Sequence, residues 1–232
     1  MSKRKERSQS EDAEKGKYVM INEAGQEETP HAPQSASEAL FLSGSLALDL
    51  VNTEMIVRGK KRDVLTSPDT LAAWWRKARE QNYESQLVVE EEPIVWNVEL
   101  LAAVKAIRSD LRKLVSQVVQ KQAVDEDALE PLNAVLALGY PSLQRTEQGT
   151  VTQLMRLRDA KIGPVGLPIA LSAFRLFTEG DWQRIHKCKN DRCILYFYDT
   201  TKSGTRQWCN LGCMNRSRSV QHYRETKKPM LH

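Results

Sequence analysis

Apolar residues are sparse over roughly the first 37 positions, where Lys, Arg, Glu, Ser, Gln and Pro dominate and only Tyr18, Val19, Met20 and Ile21 cluster. Such a stretch cannot bury enough surface to offset the entropy of ordering, so residues 1–37 are expected to form a mostly disordered tail, with a short strand or partner-binding patch at Tyr18–Ile21. Dense apolar sequence begins near Ala39 with Leu40, Phe41, Leu42, Leu46, Leu48, Leu50 and Val51. Ser67-Pro68-Asp69-Thr70 then reads as a helix start: a capping hydroxyl, a proline at the first helical position and an acid at the positive helix end. The helix it opens buries Leu71, Trp74, Trp75 and Ala78.

The clearest amphipathic helix carries Leu101, Val104, Ile107, Leu111, Leu114, Val115 and Val118 at steps of three and four, with Lys105, Arg108, Arg112 and Lys113 between them. A shorter helix through Leu129, Leu132, Val135 and Leu136 stops at Gly139-Tyr140-Pro141. Ser142–Thr146 and Thr150–Arg156, around Gln148-Gly149, predict a β-hairpin. Gly163-Pro164-Val165-Gly166 is expected to break the chain before a helix with Pro168 in its first turn, and Gly180-Asp181 marks a boundary. Aromatic and leucine positions at this spacing are read as core, not as a ligand pocket.

No apolar run reaches the roughly 18 to 20 residues that span a bilayer, and no hydrophobic stretch follows the basic start, so a cytoplasmic protein is expected with no membrane partner. In that reducing compartment cysteines serve as metal ligands more often than as disulfides. Charge sharpens the division. From Arg184 to His232 eleven Lys or Arg face three acids, a balance of +8, which leaves −4 on the remainder of a chain whose total is +4. All four cysteines fall in that basic segment.

They are spaced Cys188-x4-Cys193-x15-Cys209-x3-Cys213. Two close pairs and a spacer suit tetrahedral Zn2+, each pair presenting two thiolates at about 2.3 Å from one ion. The spacer reads as a strand at Ile194–Tyr198, a turn at Asp199–Gly204 and a return at Thr205–Trp208, followed by a helix from about Asn210 to Glu225. Knuckle, hairpin and ligand-bearing helix make a treble-clef-like module too small to hold together without its metal. Four thiolates leave no open position for water or substrate, so the zinc is expected to be structural; two disulfides or ordinary buried thiols are the weaker readings.

Trp208-Cys209 through Cys213-Met214-Asn215-Arg216, preceded by Phe197-Tyr198-Asp199-Thr200, resembles the CGNR zinc finger. Ser45-Leu46-Ala47-Leu48-Asp49-Leu50-Val51-Asn52-Thr53 and Leu65-Thr66-Ser67-Pro68 resemble the ABATE domain that precedes this finger, so the likeness covers about residues 40 to 228. It implies an α+β fold, in which a mainly helical ABATE-like domain with a small β-hairpin spans 38–180, a treble-clef-like finger spans 181–228, and 229–232 form a terminal tail. It also implies a bacterial, stress-linked transcription regulator whose finger binds DNA. One departure stands out: Met214 occupies the motif's glycine, harmless if the position is helical and obstructive if it needs a positive φ.

Arg206, Asn215, Arg216, Arg218, His222, Arg224, Lys227 and Lys228 are the candidate nucleic-acid contacts, because Lys and Arg neutralise phosphates while Arg216 and Asn215 suit guanine and adenine edges. Val220 and Tyr223 are expected to face the core. Asp49, Asn52 and Thr53 are candidate ligand-binding groups for a small-molecule effector at the first domain; otherwise they cap or cross-link helices. The alternative to a DNA-binding regulator is a zinc-stabilised protein-interaction module or a sensor. A homodimer would add contact area. No enzyme is expected: the histidines 31, 186, 222 and 232 lie in the tail, the finger or the terminus, and no nucleophile motif or phosphate loop occurs.

Overall fold

The computed structural model describes residues 20–21, 27–28, 41–81, 83 and 92–226. The chain divides into two units, Met1–Ala32 and Pro33–His232. In the first, Met20–Ile21 (β1) pairs antiparallel with Glu27–Glu28 (β2), so a short strand does fall in the Tyr18–Ile21 cluster. The rest of the expected tail, and residues 229–232, lie outside the described residues.

The second unit is α+β. Leu46–Val51 (α1) leads into a hairpin of Glu54–Val57 (β3) and Lys60–Asp63 (β4), followed by the helices Pro68–Glu80 (α2), Val98–Val119 (α3) and Glu126–Leu136 (α4). A second hairpin pairs Gly139–Arg145 (β5) with Val151–Leu157 (β6), and Gly163–Thr178 (α5) closes the helical part. After a 3-10 turn at Trp182–Arg184 come Ile185–Lys187 (β7), Tyr196–Tyr198 (β8) and Leu211–Thr226 (α6).

Local chemistry explains most of these boundaries. Ser67 closes a capping box with Thr70, and Asn97 Oδ1 accepts from Leu100 N–H at 2.8 Å, each satisfying a donor that a helix start leaves free. The β3–β4 hairpin turns on Arg58 and Gly59 at φ 50° and 79°, the paired left-handed conformation that two-residue hairpin loops require. Its strands hold Lys60, Lys61 and Arg62, which is why no apolar alternation announces it. The break expected at residues 163–166 is instead the first turn of α5, where Pro164 has no N–H to leave unsatisfied; Pro168 lies inside the helix.

The main core gathers α1, α2, α3 and α5 around Trp74, Leu48, Leu71, Leu111 and Ile169, all essentially sealed from solvent. Arg108 is buried with them. It grips Asp63 at 2.6 and 2.8 Å and donates to Thr53 Oγ1 at 2.9 Å, tying the β3–β4 hairpin to α3. Burial would raise the Asp63 carboxyl, but the bonds and charge of Arg108 outweigh it and hold that group below the usual carboxylate range.

Asp49 is the single ionisable residue of α1, and it is buried. Its Oδ1 accepts from Leu42 N–H (3.1 Å), Ser43 N–H (3.2 Å) and Ser43 Oγ (2.8 Å), while Tyr83 OH donates to Oδ2 at 3.1 Å. Desolvation exceeds what these bonds return and lifts Asp49 from an ordinary 3.8 up to about 6. A carboxyl whose folded pKa lies above its unfolded one binds more protons in the native state, so its contribution is greatest below about pH 4 and is lost as pH rises through 6. Asp49→Asn keeps the acceptor and removes the titration. The variant should gain on the order of 3 kcal/mol relative to wild type between pH 4 and 7.5, measured by urea unfolding at both pH values. Parallel pH profiles would contradict this.

Candidate metal centre and finger helix

β7 and β8 form a three-residue ladder, with Ile185 opposite Tyr198 and Lys187 opposite Tyr196. The first cysteine pair sits in the knuckle at its tip, closed by Cys188 N–H to Leu195 O and Cys193 N–H to Asn190 O, both 2.9 Å. β8 therefore pairs backward with Ile185–Lys187, and not with Thr205–Trp208 as the sequence suggests. That return segment is irregular, and is held by Lys189 N–H to Gln207 O (2.9 Å) and by Arg206 N–H to the buried carboxylate of Asp199 (2.8 Å). The short knuckle between Lys187 and Tyr196 leaves β8 beside β7, which takes up its ladder bonds first.

Cys209 precedes α6 and Cys213 lies in its first turn. Asn210 sits between them as the cap, its Oδ1 accepting from Cys213 N–H at 2.8 Å. Met214 N–H bonds to Asn210 O at 3.2 Å, so the position the motif gives to glycine is helical here and methionine suits it. Asn190 links the two halves by donating to Cys213 O (3.0 Å) and Ser217 Oγ (3.1 Å).

The four Sγ atoms lie within 4.8 Å of one another, with Cys193–Cys209 at 3.8 Å and Cys209–Cys213 at 3.5 Å. Tetrahedral thiolates at about 2.3 Å from one ion stand about 3.8 Å apart, so the set fits zinc; a disulfide needs about 2.05 Å. Cys188, Cys209 and Cys213 are buried. Thiols of Cys193, Cys209 and Cys213 donating to Cys188 pull that sulfur toward the thiolate, and the same hydrogen bonds, which require protonated donors, push Cys193 and Cys209 far up. Only a cation can hold all four as thiolates, so loading zinc must release protons.

Two of the expected nucleic-acid contacts serve this centre. Arg206 turns inward over the Phe197 ring (4.6 Å to the centroid) and donates to Trp208 O at 2.9 Å and to Cys209 O, fixing the third ligand's backbone. Arg216 Nη2 lies 3.3 Å from Cys213 Sγ, where a guanidinium offsets thiolate charge. Arg216→Ala should therefore weaken zinc binding about tenfold in competition with a chromophoric chelator, while Arg218→Ala leaves it unchanged. Equal affinities would contradict this.

Asn215, Arg218 and His222 are exposed on α6, Arg224 lies on the same helix, and Lys227 and Lys228 fall outside the described residues. Val220 and Tyr223, expected to face the core, are 43% and 58% exposed. Asn190 holds the first two turns of α6, at Cys213 and Ser217, and residues 218–223 beyond them are exposed.

Asp49, Asn52 and Thr53 are buried with hydrogen-bond partners already in place. Asn52 makes a two-way clamp on the finger, donating to Tyr196 O at 2.7 Å and accepting from Tyr196 N–H at 2.9 Å. Arg112 adds bonds to Val51 O and to Ile194 O (3.3 Å), and stacks over Tyr196. Tyr196 and Ile185 belong to the main core, whereas Phe197, Cys188, Cys209 and Cys213 pack with Met55 and Val64 in a second, smaller core. Alternate β8 side chains thus enter different cores, as strand pleating dictates. Asn210 could have been found from its cap position three residues before Cys213. Asn190 and Asn52 carry no such local signal.

Two family models match the chain. The ABATE model, described as "Putative stress-induced transcription regulator", matches residues 44–180, more than half of the chain, and the CGNR zinc finger model matches residues 184–225. No curated protein matches.

Proposed function

The chain belongs to the ABATE family and ends in a CGNR zinc finger; on that footing we propose that it is a cytoplasmic, non-enzymatic regulator that binds DNA through α6. The observation that carries this reading is the exposure of α6 from Arg218 to Tyr223 on every face, on a helix with three arginines and one glutamate. A helix with so little apolar stripe, exposed over these residues, is not packed as core, and its exposed surface is available to a partner. Arginines there neutralise phosphates and release counterions, and Asn215 and His222 add hydrogen-bonding groups beside them. Zinc, held by Cys188, Cys193, Cys209 and Cys213 in a treble-clef-like arrangement, fixes the angle at which the helix leaves the body. Four thiolates fill its coordination shell, so the reading includes no catalytic step.

Val220 and Tyr223, three residues apart and exposed, favour one second reading: a protein partner docking on the same helix. The discriminating experiment is duplex and single-strand binding by the zinc-loaded chain across a salt series, with Arg218→Ala/Arg224→Ala as the variant. Arg216 is left intact because it touches Cys213 Sγ. On the DNA reading, affinity falls steeply with salt and the double variant flattens the slope by about two. No binding to either strand form at low salt favours the protein partner.

A further inference from the structure

α3 and α4 diverge around an apolar cleft of about 330 Å3 on the side of the domain away from the residues that α3 offers to the finger. Its walls include Ala103, Ala106 and Asp110 of α3, Pro131 and Val135 of α4, and Ile162. The opening has a packing cause. Alanines occupy the positions where α3 would otherwise fill the space, and of α4 only Leu132 is buried, so that helix spans the cleft without closing it. Apolar cavities of about 150 Å3 already stay dry and accept a single-ring molecule, so a space about twice as large suits two rings.

Electrostatics narrows the class. Among the described residues Asp110 is the one ionisable group in the lining, and its Oδ1 is held by Lys113 at 2.9 Å. An apolar site disfavours an anion, which would have to shed its hydration, and a carboxylate in its lining accepts a hydrogen bond from an N–H. We infer that this cleft binds a small, uncharged, largely aromatic compound carrying an N–H donor directed at Asp110. The site differs from Asp49, Asn52 and Thr53, where the sequence placed an effector, and it stands whether or not α6 meets DNA. Its occupant would lie against α3, whose Arg112 donates to Ile194 O of the finger.

The test uses the full, zinc-loaded chain and two probes that share a skeleton: N-phenyl-1-naphthylamine, which is neutral, and 8-anilino-1-naphthalenesulfonate, which is anionic. The neutral probe should show saturable fluorescence enhancement at one site per chain, with the sulfonate at least about fivefold weaker and Asp110→Asn narrowing that gap. Ala103→Phe and Ala106→Phe each place a ring in the cleft and should lower neutral-probe affinity at least about tenfold, with zinc content and cooperative unfolding retained. If only one of the two folds, that one decides. Equal binding by a folded plugged variant overturns the proposal, as does absence of binding to wild type. A plugged variant that converts a multimer to a monomer also overturns it, because the cleft is then a seam between copies.

Discussion

Chelating zinc, or replacing Cys209 by serine, is expected to unfold the finger from Ile185 to Thr226 and to lower the stability of the helical domain as well. A cluster of four sulfurs within 4.8 Å is held together in its charged form only by a cation, and the small core around it contains little besides the cysteines, Leu195, Phe197, Met55 and Val64. Structural zinc contributes apparent binding energies on the order of 10 kcal/mol in modules of this size, so its loss should exceed any single side-chain truncation in the chain. The effect should spread because Met55 belongs to β3 and because Ile185 and Tyr196 of the finger fill the main core. Circular dichroism should report loss of α6 while Trp208 emission shifts to the red and the melting temperature of the remaining helices falls. Unchanged spectra after complete zinc removal would contradict the account.

Asn52→Ala is expected to cost about 2 to 5 kcal/mol, since it strands both the N–H and the C=O of the buried Tyr196 without a substitute partner. Asn52→Asp should be no better. Its carboxylate can still accept from Tyr196 N–H, but it faces Tyr196 O with a second acceptor and buries a charge. The two variants together separate this clamp from simple loss of volume. Urea unfolding reports the cost, and hydrogen exchange at the Tyr196 amide should quicken well beyond that of α2. A change below about 0.5 kcal/mol for both would show that the clamp is dispensable.

Much of this architecture was legible in the residues. Ser67-Pro68-Asp69-Thr70 does start a helix, the three-and-four spacing from Leu101 to Val118 does mark the central one, and the hairpin around Gln148-Gly149 forms, its first strand starting at Gly139 instead of Ser142 and its second ending at Leu157 instead of Arg156. The cysteine spacing predicted a cluster, and the sulfurs converge. What stayed hidden depends on long-range partners. β4 carries Lys60, Lys61 and Arg62 and no apolar residue, and its hairpin is anchored through Asp63 and Glu54 by Arg108, some 45 residues away from Asp63 in sequence. β8 chose Ile185–Lys187 over Thr205–Trp208, a choice between two neighbours that no periodicity distinguishes. The polar trio Asp49, Asn52 and Thr53 reads equally as ligand groups or as cross-links until their partners, Ser43, Tyr196 and Arg108, are in view. The direction of Arg206 and Arg216, toward ligand backbone and ligand sulfur, is likewise a property of the folded finger. Composition could only count them as positive charge.

The account holds that zinc organises a finger whose helix meets nucleic acid, and one titration addresses it: a fluorescent duplex of mixed sequence, followed by anisotropy at low salt, with the zinc-loaded chain and again after chelation. The account predicts saturable binding that weakens as salt rises and disappears when zinc is withdrawn. Binding that persists unchanged without zinc, or no binding with one zinc per chain in place, would contradict it.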